Sequence, residues 1–145
     1  MDTSGNPTRI HLLGTGRIEE ADAAGTIKPG HLIELNTSGD VIAHASAGGY
    51  AEAAFALEDA LQGNTIADNY ASGDRVTFVL ASKGDVVYAW ISGDEDIAIG
   101  DKLTSNGDGT LKEATSTDIR LAVALEAVDS TDSNDVDERI RVRIL

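Results

Sequence analysis

Arg139-Ile140-Arg141-Val142-Arg143-Ile144, the last run of the chain, alternates charged and β-branched residues without a break. Side chains in a strand point to opposite faces with period two, so this run sets Arg139, Arg141 and Arg143 on one face and Ile140, Val142 and Ile144 on a core face. Working back toward the N-terminus, Arg75-Val76-Thr77-Phe78-Val79-Leu80 has the same Arg-led alternation, and Val86-Val87-Tyr88-Ala89-Trp90-Ile91 is a dense run of β-formers. Gly, Asp and Asn punctuate the runs, as at Ser82-Lys83-Gly84-Asp85 and Asn106-Gly107-Asp108-Gly109, the latter reading as a hairpin loop. His31-Leu32-Ile33-Glu34-Leu35 and Val41-Ile42-Ala43-His44 flank a turn at Asn36 to Asp40. These runs predict an all-β chain.

A repeat organises the strands. Gly39-Asp40 is followed 17 residues later by Ala56-Leu57-Glu58, and Gly107-Asp108 is followed 17 residues later by Ala124-Leu125-Glu126. In each half a loop and an Arg-led strand come next. The order predicts an internal two-fold strand repeat, with halves at about 25–80 and 95–145. The repeat also decides a conflict. Residues 51–61 have helix-forming composition, but the matched contexts make Phe55-Ala56-Leu57-Glu58 and Val123-Ala124-Leu125-Glu126 strands, with a short helix or turn left open at 50–54. Glu19 to Gly25, polar and Ala-rich, reads as a loop or an edge.

The N-terminus is polar, with Gly5 and Pro7, and reads as an extended arm over residues 1–13, ahead of a single β domain over 14–145. Ile10 to Leu13 is a short apolar run of strand type, and Gly14-Thr15-Gly16 is a turn.

Composition narrows the function. The formal net charge of −14 argues against nucleic acid and anionic membranes as partners. Aromatic residues make up 4% of the chain, thin for an enzyme cleft. There is no cysteine, hence no disulfide, thiol nucleophile or Cys-ligated metal. No apolar run approaches membrane-spanning length, and the first residues lack the basic start and apolar core of a signal peptide. A soluble protein, intracellular or acting after release from a cell, is expected.

Catalytic and ligand motifs are weak. His11, His31 and His44 have no partner at metal-ligand spacing. Gly14-Thr15-Gly16 starts a dinucleotide fingerprint, but Glu19 stands where the third Gly belongs. No Ser lies in a Gly-x-Ser-x-Gly elbow. Two acidic stretches, Asp94-Glu95-Asp96 with Asp101 and the group Asp129, Asp132, Asp135, Asp137 and Glu138, offer oxygen ligands for Ca²⁺ without EF-hand spacing, and read first as solvated loops. No catalytic residue, metal or cofactor is assigned. The ladder Arg139, Arg141 and Arg143 is expected to pair with the chain's own acidic loops or with a second copy.

Gly84-Asp85-Val86-Val87-Tyr88-Ala89-Trp90-Ile91, then Ile99-Gly100-Asp101-Lys102-Leu103-Thr104-Ser105, Gly109-Thr110-Leu111 and Ala122-Val123-Ala124-Leu125-Glu126-Ala127, resemble the small head-decoration (cement) proteins of tailed bacteriophages. The likeness covers about residues 25–145. It implies a compact β-barrel or β-tulip-like domain and a non-enzymatic homotrimer on the outer capsid surface of a virion, made in the host cytoplasm, that binds the major capsid protein and ties its subunits together. On this reading the arm meets the capsid through Ile10, Leu12 and Leu13, by adding a strand to a neighbour's sheet edge. The alternative is a carbohydrate- or receptor-binding β-module of a virion or cell surface, which exposed aromatics beside acidic loops would favour. A lipoyl- or biotinyl-carrier domain shares the Ile99-Gly100-Asp101-x-Leu103 turn, but neither Lys102 nor Lys112 stands at a hairpin tip of the required kind.

Overall fold

A computed structural model describes residues 6–131 and 136–145. Thirteen strands follow one another with no α-helix among the described residues. In chain order they are β1 (His11–Leu13), β2 (Arg17–Asp22), β3 (Leu32–Leu35), β4 (Val41–Ala43), β5 (Ala54–Ala56), β6 (Arg75–Leu80), β7 (Val86–Ile91), β8 (Asp96–Ile97), β9 (Lys102–Ser105), β10 (Leu111–Glu113), β11 (Ala122–Ala124), β12 (Val128–Asp129) and β13 (Glu138–Ile144).

The chain builds the same five-stranded barrel twice. In the second half the order is β7-β13-β11-β9-β10, closed back to β7 by a parallel pair, Ile91 with Leu111. In the first it is β2-β6-β5-β3-β4, closed by a parallel bridge from Ala23, just past β2, to Val41. The satellite pairings repeat as well: Ile27 bridges Tyr70, and β8 pairs β12. Even the register agrees, since Arg75 stands opposite Asp22 as Arg139 stands opposite Trp90.

The duplication sharpens two expectations. Each repeat begins with the strand that closes its barrel, so the halves run from β2 to β6 and from β7 to β13, wider than 25–80 and 95–145. The turns align as Gly39 with Gly109, not Gly107. Asn36 N–H donates to Asp40 O, and Asn106 N–H to Thr110 O, both across tight turns, with Gly39 and Gly109 at φ +81° and +90°. The link from β4 to β5 is longer than that from β10 to β11, which shifts the Ala-Leu-Glu segments back to the spacing seen in sequence.

The Ala-rich strands have a steric reason. Ala54 and Ala56 in one half, Ala122 and Ala124 in the other, are buried in their barrel interiors. A closed barrel narrows as strand number falls, so one wall must be small if Phe78 or Val142 is to fit opposite. The strand reading therefore holds against helix propensity at Phe55-Ala56 and Val123-Ala124, while Leu57-Glu58 and Leu125-Glu126 lie past the strand ends. The single helical turn in this region is a 3₁₀ turn at Ala60–Gln62, beyond the 50–54 segment. The polar Arg17–Asp22 segment is a full strand on an edge.

The barrels share apolar contacts. Ile33, Ala54, Ala56, Val76 and Phe78 fill the first barrel, while their outward neighbours Leu32, Phe55 and Val79 pack into the cluster that also fills the second. Backbone bonds cross the junction: Leu32 N–H to Gly109 O (2.8 Å), Trp90 N–H to Gly30 O (3.3 Å) and Gly48 N–H to Ser105 O (2.8 Å).

Gly30 makes that junction possible. A Cβ there would lie 2.8 Å from Tyr88 O, whereas Gly100, its equivalent in the second repeat, has nothing within 4 Å. Both adopt the same left-handed conformation, φ +95° and +94°. The strain of an added side chain is thus common to both, and the clash belongs to Gly30 alone. Gly100→Ala is expected to cost about 1 kcal/mol and Gly30→Ala about 3 kcal/mol. Urea melts of the two variants in dilute solution measure the difference; equal losses would mean that the turn does not pack on β7.

Candidate interaction surface

The Gly14-Thr15-Gly16 turn wraps a buried carboxylate. Asp85, just ahead of β7, accepts N–H bonds from Thr15 (3.2 Å), Gly16 (2.9 Å) and Ser82 (3.1 Å), and its Oδ2 lies 3.0 Å from His11 Nε2. A Cβ on Gly14 would stand 1.9 Å from Oδ1, and one on Gly16 2.7 Å from Oδ2. The glycines thus let backbone close around Asp85, and the half-fingerprint is a carboxylate nest rather than a phosphate cradle. Burial alone would raise the Asp85 pKa, but the bonds from Ser82, His11, Thr15 and Gly16 outweigh it and hold the carboxyl below its ordinary 3.8. A depressed acid pKa adds stability above that ordinary value and loses it as pH falls through the folded one. Asp85 thereby ties the N-terminal segment to the body.

That tie corrects the arm. Ile10 is fully buried in the core: its carbonyl accepts from Tyr88 N–H (2.8 Å) and its own N–H donates to Glu58 (3.2 Å). It anchors the segment internally and has no surface to offer a capsid. Leu12 is half-buried against the same cluster. Leu13, 66% exposed, is the one of the three that faces solvent, with Ile18, 51% exposed, across the turn. Residues 1–5 lie outside the described residues.

The three arginines have three environments. Ile140, Val142 and Ile144 are buried and the arginines point outward, as the alternation requires. Arg139 lies under the first barrel, with its guanidinium 4.2 Å above the Trp90 ring. Its Nε (3.2 Å) and Nη2 (3.1 Å) donate to Pro29 O, which also accepts from Trp90 Nε1 (2.8 Å); Nη2 donates to Ile66 O as well. It binds carbonyls and an aromatic face, not an acidic loop. Arg141 pairs with Glu126 at 3.1 Å. Arg143 is exposed.

Arg143 belongs to a cross-strand row. Leu13 stands opposite Val86, Val86 opposite Arg143, Arg143 opposite Val123, and Val123 opposite Lys102. Directly paired residues share a face, so the five lie on the outer face of the second barrel; Val86 (9% exposed) and Val123 (6%) are buried there, and Leu13, Arg143 and Lys102 are the exposed members. The sequence reading placed none of Lys102, Val86 and Val123 in an interaction surface; the period-two pattern was there, but the order of β1, β7, β13, β11 and β9 was not.

The other candidates are structural. His44 is buried, with Nδ1 2.7 Å from Ser105 Oγ and Nε2 2.8 Å from Tyr50 O. Glu95, Asp101, Asp129 and Asp137 each accept a backbone N–H in a turn or from a neighbouring strand. Asp132 and Asp135 lie outside the described residues. Among the described residues no three His, Asp or Glu side chains are grouped to hold a metal ion. The groove beside Tyr88, Trp90 and Arg139 holds about 360 Å³, and its indole is already covered by Arg139.

No model of a known family matches the chain, and no curated protein matches it.

His31 is the buried titratable group at the junction. Its ring packs edge-on to Trp90 at 6.3 Å, and Nδ1 has no partner among the described residues. Burial, with the Lys28 charge adding to it, lowers its pKa from 6.5 to about 4; Asp108 and Asp137 oppose the shift. The folded state therefore resists a proton that the unfolded chain accepts. The stability this provides is complete above pH 6.5 and drains as pH falls toward 4, about 3 kcal/mol in all. Urea melts between pH 7 and pH 4.5 should show the loss, and His31→Gln should flatten it; an unchanged slope in the variant would assign the loss elsewhere.

Proposed function

We propose that the chain is a capsid decoration (cement) protein, which binds the major capsid protein on the outer surface of a phage head and stabilises contacts between its subunits. Its place of action is the virion after synthesis in the host cytoplasm, and it works as a homotrimer. Catalysis plays no part in this reading.

The observation that carries it is the row Leu13, Val86, Arg143, Val123 and Lys102. It crosses strands of a rigid barrel wall, which suits a protein whose task is to hold a fixed geometry against a large flat partner. The exposed members, Leu13, Arg143 and Lys102, fit a surface that offers an apolar contact beside acidic groups, while the acidic remainder of the chain repels wrong contacts. The sequence likeness to head-decoration proteins agrees with such a partner. A carbohydrate-binding reading has one observation in its favour: Tyr50, 73% exposed, lies beside Glu34 and Glu52 in a groove of about 340 Å³.

The test mixes the purified protein with shells assembled from the major capsid protein of the same genome and counts bound copies by electron microscopy. Wild type should occupy repeated positions. The variant Leu13→Asp with Arg143→Glu, both side chains exposed, should stay folded by circular dichroism and lose occupancy at least tenfold at about micromolar protein. Bare shells with wild type, or full occupancy by the variant, would refute the proposal.

A further inference from the structure

The interface that joins the two barrels has a vacant copy of each of its halves. Within the chain, the Pro29-Gly30 turn of the first repeat docks on the outer edge of β7 in the second: Trp90 N–H donates to Gly30 O, and Arg139 and Trp90 Nε1 donate to Pro29 O. Because the repeats share strand order and register, the same turn and the same edge each occur once more. The second turn is Ile99-Gly100, with Gly100 at φ +94° and Ile99 69% exposed. The second edge is that of β2.

The β2 edge is unfilled. Ala23 N–H donates toward β6, to Asp74 O, and Ala24 N–H donates the other way, to Val41 O. By strand alternation the Glu20 and Asp22 N–H groups also point away from β6. Among the described residues neither finds an acceptor. Their equivalents, Tyr88 and Trp90, hold the carbonyls of Ile10 and Gly30. The side chains correspond too. Arg75 lies 3.2 Å from Asp22 and 3.6 Å from Glu20, where Arg139 lies over Trp90 and Tyr88.

We propose that the Ile99-Gly100 turn of one copy docks on the β2 edge of a second copy, head to tail, repeating between chains the contact made within each. The bonds expected are Gly100 O to the Asp22 N–H and Ile99 O to the Arg75 guanidinium. The aromatic pair of the internal contact is replaced by Glu20 and Asp22, so charge carries more of the external one. Lys102, whose Nζ lies 3.2 Å from Gly100 O, is the counter-charge for those carboxylates; Asp101 is the counter-charge for Arg17 and Arg75. The contact is therefore weaker than the internal one and weakens further with salt. It gives the self-association in the proposed function a surface, yet stands on the repeat and not on the capsid.

Sedimentation equilibrium of the full chain, without capsids, at low and high salt tests it. Mass should rise above one chain at about 100 µM in low salt and fall back in high salt. Lys102→Glu should weaken association at least tenfold, as should Glu20→Lys with Asp22→Lys; the three changes together should restore it. Glu20→Tyr with Asp22→Trp, copying the internal edge, should strengthen it. A single-chain mass at every concentration in both wild type and the aromatic variant would overturn the proposal. So would association indifferent to Lys102→Glu. Capsid occupancy by a chain that never self-associates would overturn this inference and the trimer, and leave capsid binding standing.

Discussion

One strand edge holds the molecule together. β7 is paired along one side by β13, and on the other the N–H groups of Tyr88, Trp90 and, just past its end, Ser92 reach three separate acceptors: the carbonyls of Ile10, Gly30 and Leu111. The first fixes the N-terminal segment, the second docks the first barrel, and the third closes the second barrel. An N–H left unpaired in that setting would cost about 1–3 kcal/mol. Removing any one of the three segments therefore exposes a donor as well as apolar surface. Asp85, at the start of the same strand, adds a fourth tie by gathering the Gly14-Thr15-Gly16 turn.

Set beside β7, its counterpart β2 shows what duplication allows. The backbones match in order, register and closure, but the outward positions have diverged, with Tyr88 and Trp90 on the filled edge and Glu20 and Asp22 on the open one. Terminal units of repeat proteins commonly carry polar outer faces because no neighbour covers them. Charged edges also discourage indiscriminate strand pairing. On the proposed self-association, the β2 edge keeps its geometry and calls for a partner of matching charge.

Much of the fold was legible in the residues, for a physical reason. Period-two alternation in 75–80 and 139–144 depends on burial of one face alone, and both strands formed with Val76, Phe78, Ile140 and Val142 inside. The Ala-Leu-Glu repeat was legible because a narrow barrel forces small residues at fixed points. β2 was less so: with both faces partly wet, Arg17-Ile18-Glu19-Glu20-Ala21-Asp22 carries little alternation, and only pairing to β6 shows it as a strand. The role of Ile10 was hidden for the opposite reason. Its burial comes from β7 and Glu58, far along the chain, while its neighbours in sequence look like a free arm. The interaction stripe was hidden too, since five strands from distant segments each give it one residue.

The most direct test of this account is amide hydrogen exchange, by NMR in dilute solution, at two matched pairs of sites. Tyr88 and Trp90 N–H should exchange only as fast as the whole molecule unfolds, because their acceptors leave only when the barrels part. Glu20 and Asp22 N–H, at the same places in the first repeat, should exchange at rates close to those of an unstructured peptide. Comparable protection at all four, or ready exchange at Tyr88 and Trp90, would contradict the claim that one filled edge joins the two barrels and the N-terminal segment.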